Sequence, residues 1–210
     1  MSTLSTLELD QLECIRGGRS LFTGLSRKVD EGTLLRVEGA NGAGKTSLLR
    51  TVCGLTPPAH GEVRWKGRPL RELRESFHQR LVYLGHAPAL KDDLSAVENL
   101  QTALLMGGTR LSADKLTEAL AQAGLPHRAG VAVRTLSQGQ RKRVALARLS
   151  LSAHAPLWVL DEPFNALDSL ATAWLVGLLA QHVRRGGIVV LTSHQAVAWG
   201  APVSEMSIRL

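Results

Sequence analysis

Aromatic residues, cysteines and long apolar runs are scarce in this chain of 210 residues, and each scarcity argues against a class of protein. Four Trp, three Phe and one Tyr are too few to supply the stacking rings that accompany basic groups in single-stranded nucleic-acid binding. The two cysteines, Cys14 and Cys53, lie far apart without CxxC or CxxCH spacing. We therefore expect no disulfide scaffold, zinc site or covalent haem attachment.

Apolar runs, such as those at 173–180 and 188–191, fall well short of the roughly 18 to 20 residues that a membrane-spanning helix needs. The first residues, MSTLSTLELDQLEC, contain acidic side chains and lack the order of a signal peptide. The sequence thus predicts a chain that stays in the cytosol and does not cross a bilayer by itself.

The overall composition is that of an ordinary globular domain, with 44% hydrophobic and 20% charged residues. The length fits one domain, or one domain with an inserted subdomain. A formal net charge of +7 would suit nucleic acid, anionic lipid or a phosphorylated ligand as partner. Because the basic residues are scattered, we interpret most of this charge as solvated surface and expect no nucleic-acid partner.

Short apolar segments that alternate with helical patterns indicate a parallel sheet. Short apolar runs at 33–38 and 81–84, and fully apolar runs at 157–160 and 188–191, predict strands, and a helical pattern at 169–183 separates the last two. The first third of the chain instead shows strands broken by turns. Strands alternating with helices predict an α/β fold whose parallel sheet is covered on both faces.

A helical segment is predicted between the strands at 81–84 and 157–160. Its first helix opens with Ser95 and Glu98 in the spacing of a capping box. Its second helix, at 113–123, stops at Gly124. We interpret this segment as an insertion in the α/β fold.

The residues that follow the strand at 33–38 match the pattern GxxxxGK[ST] and lead into an apolar helical stretch. Glycines in such a loop let backbone N–H groups curl around phosphate oxygens, and the helix N-terminus adds partial positive charge. Lys45 is predicted to reach the β- and γ-phosphates of ATP, and the Thr46 hydroxyl to ligate Mg²⁺. The predicted nucleotide-binding residues of this segment are Gly39, Ala40, Asn41, Gly42, Ala43, Gly44, Lys45, Thr46 and Ser47.

Two adjacent carboxylates follow the strand at 157–160, and a phosphate loop needs a metal-holding carboxylate on a neighbouring strand. Asp161 is predicted to hold Mg²⁺, directly or through water. Glu162 is predicted to polarise the water that attacks the γ-phosphate, as a general base. The alternative is that the pair merely begins a turn before Pro163, and the phosphate loop disfavours it.

The segment TLSQGQRKRVALAR at 135–148 resembles the signature of ABC ATPases, usually written LSGGQ, with Gln138 in place of the first glycine. Ser137 and Gly139 at the start of a helix form a second anion site. One protein surface cannot wrap both this site and the phosphate loop around a single nucleotide. The resemblance implies that two copies pair head to tail, so that the signature of each closes on ATP held by the other.

Two further segments carry the same resemblance. Residues 165–168, NALD, are similar to the D-loop of the family, which implies a place for Asp168 at the nucleotide. Residues 192–194, TSH, are similar to the switch-histidine segment. The resemblance assigns His194 to sensing the γ-phosphate, whereas a lone histidine at a strand end is otherwise more often structural.

Two positions depart from the family pattern. The family usually has, after the strand at 81–84, a glutamine that contacts Mg²⁺ or water and relays movement to a membrane partner; here His86 stands in its place. A histidine can donate, accept or carry a proton, so both roles stay open. The aromatic residue that usually stacks on adenine lies about where Arg16 stands. Its guanidinium plane could stack on the purine, or it could be a solvated charge.

The resemblance implies a P-loop NTPase fold, an α/β fold with a mostly parallel sheet core, a small antiparallel β subdomain and an inserted helical subdomain. We expect one cassette over residues 1–210, with the core at about 1–86 and 154–210 and the helical subdomain at about 87–153.

A narrower likeness is carried by the LGH variant at 84–86 and the LSQGQ form of the signature. Both are similar to the ATP-binding subunits of the haem exporter of cytochrome c maturation. This likeness implies a peripheral protein on the cytoplasmic face of a bacterial inner membrane, paired with itself and with integral-membrane subunits, that drives haem delivery. Two alternatives are the motor of another small exporter, for a drug or lipid, and a non-transport ABC ATPase that acts on DNA or ribosomes.

Overall fold

The structure is a computed structural model that describes residues 6–193, 198–199 and 202–210. Over these ranges the chain forms two sheets with helices packed against them. The strands are β1 (Leu7–Arg16), β2 (Arg19–Val29), β3 (Thr33–Glu38), β4 (His60–Trp65), β5 (Arg68–Pro69), β6 (Leu81–Leu84), β7 (Leu157–Leu160), β8 (Ile188–Thr192) and β9 (Ser204–Arg209). The α-helices are α1 (Lys45–Val52), α2 (Leu70–His78), α3 (Ala96–Met106), α4 (Ala113–Gln122), α5 (Gln138–Leu151) and α6 (Ser169–Arg184).

Five parallel strands form the larger sheet, in the order β6-β7-β8-β3-β9. Every residue of β7 and β8 is buried, so helices and the second sheet cover both faces, as the continuous apolar runs predict. Alternate residues point to opposite faces, so that Val190 packs with α1 whereas Val189 packs with α6. Leu160 pairs with Leu191, which aligns the carboxyl ends of the two strands.

The smaller sheet is antiparallel, with strand order β2-β1-β4-β5. Leu7, Leu9 and Leu12 of β1 are buried in the same apolar cluster as Leu35 of β3 and Val190 of β8. The two sheets therefore share one core, to which α1 also contributes side chains. This arrangement confirms the predicted fold class, including its small antiparallel sheet.

Helices α3, α4 and α5 share a separate apolar cluster. Helix α5 belongs to two clusters at once: Val144 and Ala147 pack with α3 and α4, whereas Leu146 and Leu149 pack with α6 and β7. A displacement of α5 therefore acts on the helical segment and on the parallel sheet together.

Helix α3 begins with the capping box that the sequence predicts. The Ser95 hydroxyl accepts the Glu98 backbone N–H, and the Glu98 carboxylate accepts the Ser95 backbone N–H at 2.8 Å. The Ser95 hydroxyl also donates to the Glu98 carboxylate at 2.7 Å, and this bond, together with the one from the Ser95 backbone N–H, lowers the pKa of Glu98. The reciprocal bonds satisfy two of the donors that the first turn of a helix leaves open.

Helix α6 lies over β7 and β8 through buried side chains that include Leu175 and Leu179. It spans 16 residues and is the longest helix that the structure describes. Among the described residues, no helix combines the length and the apolar character that crossing a membrane requires.

Candidate functional site

The phosphate loop connects the end of β3 to the start of α1, as predicted. Gly44 stands at the helix boundary with a φ of 106°, and a Cβ there would lie 3.1 Å from the Leu21 Cβ. Glycine is therefore required by both the backbone conformation and the close approach of β2. No side chain caps the first turn of α1, so its backbone N–H groups face the loop and are suited to bind an anion.

Lys45 is buried, with a relative exposure of 9%. Its Nζ donates hydrogen bonds to the backbone carbonyl oxygens of Gly39 at 2.7 Å and Ala40 at 3.2 Å. The ammonium group thus lies across the loop that it follows in sequence. This position leaves a positive charge at the mouth of the phosphate cradle.

Asp161 lies at the end of β7, where threonines from two other elements bind both of its carboxylate oxygens. The Thr46 hydroxyl donates to Oδ2 at 2.7 Å, and the Thr192 hydroxyl donates to Oδ1 at 2.8 Å. Asp161 is only 2% exposed, so these bonds fix its orientation. The structure therefore brings the Thr46 hydroxyl and the Asp161 carboxylate, both predicted to hold Mg²⁺, together at the end of the phosphate loop.

Thr192 was not among the predicted site residues, although it organises both carboxylates. Besides donating to Asp161, its Oγ1 accepts the backbone N–H of Glu162 at 2.8 Å. The alignment of β7 with β8 could have identified Thr192. Leu160 pairs with Leu191, so that Asp161 and Thr192 are the next residues of the two strands. Parallel strands whose ends align place their next residues within hydrogen-bonding reach.

Glu162 is 7% exposed and has a φ of 48°. A non-glycine residue in the left-handed region is strained, and such strain is concentrated at functional sites. Glu162 does begin a turn, in which its carbonyl oxygen accepts the Asn165 backbone N–H at 3.3 Å. The side chains of Asp161 and Glu162 are also buried beside the phosphate loop, which a turn alone does not require.

A first cavity of about 500 Å³ collects the predicted residues from four separate segments. Arg16 borders it from the tip of β1, and His86 borders it from the segment after β6. Both side chains are exposed, so both are accessible to a ligand. The other predicted site residues that line this cavity are Ala40, Asn41, Gly42, Gly44, Lys45, Thr46, Ser47, Asp161 and Glu162.

The signature segment forms the start of α5. The Ser137 hydroxyl accepts the Gln140 backbone N–H at 3.2 Å, and the Gln140 side-chain oxygen accepts the Ser137 N–H at 3.0 Å. A Cβ at Gly139 would come within 2.6 Å of the Ala166 carbonyl oxygen, so only glycine permits this approach of the loop at 165–168. Of the described residues, those bordering the first cavity include neither Ser137 nor Gly139.

Asp168 caps helix α6 and also contacts α5. Its Oδ1 accepts the Ala171 backbone N–H at 2.8 Å, and its Oδ2 lies 3.5 Å from a guanidinium nitrogen of Arg143. These contacts give Asp168 a structural role within the chain that the sequence did not predict. His194, the other residue assigned through the family resemblance, lies outside the described residues.

A second cavity, of about 470 Å³, adjoins the first and shares His86, Glu162 and Asn165 with it. Its opposite side consists of residues from the first turns of α5, including Gln138 and Lys142. Two of the positions at which the sequence departs from the family's motifs, 86 and 138, therefore border the same space. The prediction missed Lys142, because a basic residue in a run of three gives no sign of burial.

Comparison with known proteins identifies the family of this chain. The family model described as ABC transporter matches residues 22–165, more than half of the chain. The chain belongs to the ABC transporter family. It is therefore an ATPase of the ABC type.

Relatives in this family extend over nearly the whole chain. A protein of Dechloromonas aromatica (strain RCB), named cytochrome c biogenesis ATP-binding export protein CcmA, is 51% identical over 91% of this chain and 93% of its own length. A protein of the same name from Aromatoleum aromaticum is 50% identical over 94% of this chain and 92% of its own.

A solved structure supports the same fold. It is the dimeric structure of an ATP-binding cassette in a post-hydrolysis state, bound to ADP and Pi. It superposes with a TM-score of 0.79 at 24% identity, over 90% of this chain and 88% of that one. At this level of identity the likeness demonstrates the fold.

Proposed function

We propose that this chain is the ATP-hydrolysing subunit of a membrane complex that energises haem export or delivery for the biogenesis of c-type cytochromes. The observation that carries the proposal is the identity of about half of all residues, over nine-tenths of the chain, with proteins named for cytochrome c biogenesis and export. The His86 and Gln138 variants, which mark the same narrower likeness, support it.

ATP binds with its phosphates against the loop and the first turn of α1. The Lys45 ammonium exchanges the carbonyl oxygens of Gly39 and Ala40 for β- and γ-phosphate oxygens, which carry full negative charge and are the stronger acceptors. Arg16 borders the same cavity and stacks its guanidinium plane on the adenine. The backbone N–H groups of the loop and helix complete the phosphate site.

Thr46 and Asp161 would hold Mg²⁺. Their oxygens lie 2.7 Å apart, and a hydroxyl with a carboxylate is the hard oxygen donor set that this ion prefers. When bound, the ion neutralises charge on the phosphate oxygens. Asp161 is oriented for this role by its bond from Thr192.

Glu162 takes the proton of the attacking water as general base, and the Thr192 bond to its backbone N–H holds it in place. His194 senses the γ-phosphate. Ser137, Gly139 and Asp168 contact ATP held by a second copy in a head-to-tail dimer. His86 relays the state of the site to an integral-membrane partner, and that partner holds the chain on the cytoplasmic face of the bacterial inner membrane.

Purification of the tagged full chain from native membranes tests this proposal. Mass spectrometry is expected to identify integral-membrane proteins that copurify with the chain, and the membranes should contain a haem-binding partner in the same complex. A parallel purification of the Lys45→Ala variant separates assembly from ATP binding. Copurification of the chain with the membrane subunits of a drug or lipid exporter would contradict the proposal. Copurification with ribosomes and no membrane protein would contradict it as well.

A further inference from the structure

Lys142 is a buried lysine on α5. Its relative exposure is 8%, and it forms no hydrogen bond or ion pair with the residues that the structure describes. Burial lowers the pKa of Lys142, and attraction by Asp161 and Glu162 opposes this shift. Burial of an uncompensated ammonium is strongly unfavourable, so its retention requires a physical reason.

The position of Lys142 suggests that reason. It borders the second cavity together with Glu162. It also borders a small third cavity, of about 70 Å³, between the segment after β6 and helices α3 and α5. The third cavity is mostly apolar, with Leu84, Leu100 and Leu146 among its borders. Lys142 thus borders both the apolar third cavity and the second cavity, which Glu162 also borders.

The buried charges around the site are balanced. Among the described residues, the buried Lys, Arg, Asp and Glu side chains are Lys45, Lys142, Asp161 and Glu162. Lys45 faces the phosphate loop, where bound phosphates will engage it, and two threonine hydroxyls bind Asp161. Lys142 is the second buried cation, and both Asp161 and Glu162 attract it.

We propose that Lys142 is a positioning residue for hydrolysis, whose ammonium attracts the Glu162 carboxylate across the second cavity and orients it toward the attacking water. The inference rests on the proposed function, in which Glu162 is the general base. Lys142 lies on α5, the helix that begins at the signature residue Ser137. A displacement of α5 therefore changes the distance between the ammonium and the carboxylate, which links hydrolysis to the position of the signature.

Arg148 offers a matched control on the same helix. Its Nε is buried without a hydrogen-bond partner among the described residues, and burial lowers the pKa of Arg148. It borders the third cavity but not the second. Replacing Arg148 therefore removes a desolvated cation of similar length without changing the charge that faces Glu162.

The test compares Lys142→Met, Lys142→Arg and Arg148→Met in the full chain, by measuring kcat for ATP, the Kd for ATP and the melting temperature. Lys142→Met should lower kcat about tenfold, change the Kd less than about twofold and leave the melting temperature unchanged or higher, because a desolvated charge is lost. Lys142→Arg should recover most of kcat, and Arg148→Met should keep the wild-type value.

Two results would overturn the inference. The first is a wild-type kcat for Lys142→Met. The second is an equal fall of kcat in Lys142→Met and Arg148→Met that follows the loss of folded protein, because this indicates a packing role. A wild-type chain that does not hydrolyse ATP in the same assay would instead refute the proposed function, so the two failures are distinguishable.

Discussion

At the scale of single residues, the site depends on groups that are buried and held by neutral hydroxyls. Asp161 and Glu162 are 2% and 7% exposed, and Thr192 bonds to the side chain of the first and the backbone of the second. The Thr192 hydroxyl thus orients the Asp161 carboxylate before the substrate arrives, and preorganised charge is usually the largest single term in catalytic stabilisation.

Replacement of Glu162 should separate ATP binding from hydrolysis. Glu162→Gln keeps the shape of the side chain but cannot accept a proton, so turnover should fall roughly 10²- to 10⁴-fold while the Kd for ATP stays close to wild type. Lys45→Ala should weaken binding and turnover together, because it removes the charge opposite the phosphates. Steady-state hydrolysis and equilibrium binding measure both effects, and a wild-type turnover rate in Glu162→Gln would refute the general-base assignment.

Replacement of Thr192 should damage stability and hydrolysis together. Thr192→Val leaves the buried Glu162 N–H without its acceptor, which is expected to lower the free energy of unfolding by about 1–3 kcal/mol, and kcat should fall as well. Thr51→Val is the control, since the Thr51 hydroxyl is buried and has no hydrogen-bond partner in the part of the chain that the structure describes, so its loss should be neutral or stabilising. Denaturant unfolding measures the difference; similar values for the two variants would argue against the bridging role of Thr192.

At the scale of elements, a titratable histidine of helix α6 packs against strand β7 outside the site. The His182 ring stacks on Trp158 with centroids 3.7 Å apart and an interplanar angle of 8°. His182 is 2% exposed, and burial lowers its pKa to about 4. The folded chain therefore keeps this imidazole neutral over a pH range in which an unfolded chain binds a proton.

The stability of the chain should fall as pH drops through this range. Since the unfolded state binds the extra proton below about pH 6.5, stability is fully present above that value and declines toward pH 4, by at most about 1.4 kcal/mol per pH unit. His182→Phe keeps a flat ring but cannot titrate, so its unfolding free energy should depend less on pH between 6.5 and 4. Equal pH dependence in both proteins would show that other groups dominate.

The elements that the sequence predicts well are those with a local physical signal. The buried strands β7 and β8 are continuous apolar runs, and the capping box of Ser95 and Glu98 fixes the start of α3. Strand β9 gave no such signal: it lies at the sheet edge with only Ile208 buried, and its pairing with β3 comes from backbone bonds. Thr192 and Lys142 were missed for a related reason, because their roles arise from register and burial rather than from motif spacing.

At the scale of the whole molecule, the separation of the signature from the first cavity has a consequence for assembly. The borders of that cavity within one chain include no signature residue among those described, whereas Ser137 and its capping box are exposed at the start of α5. A second copy can supply the signature to the nucleotide. This geometry, together with the anion-binding character of a helix start, supports the dimer of the proposed function.

ATP should therefore drive dimer formation. In the Glu162→Gln background, where ATP persists, light scattering should detect a shift from monomer to dimer when ATP is added. Adding Ser137→Arg should abolish the shift, because a bulky side chain blocks the contact, while single chains still bind nucleotide. A dimer that forms equally well without nucleotide would argue against the head-to-tail arrangement.

The most direct test of the central claim is the production of c-type cytochromes in a bacterial strain that lacks its own copy of the gene. The full chain should restore covalent haem attachment, measured by haem staining of the cytochromes. Lys45→Ala and Glu162→Gln, expressed at the same level, should fail, because one loses nucleotide binding and the other turnover. Normal levels of c-type cytochromes with Glu162→Gln would contradict the account. So would a strain in which related proteins restore haem attachment but the wild-type chain does not.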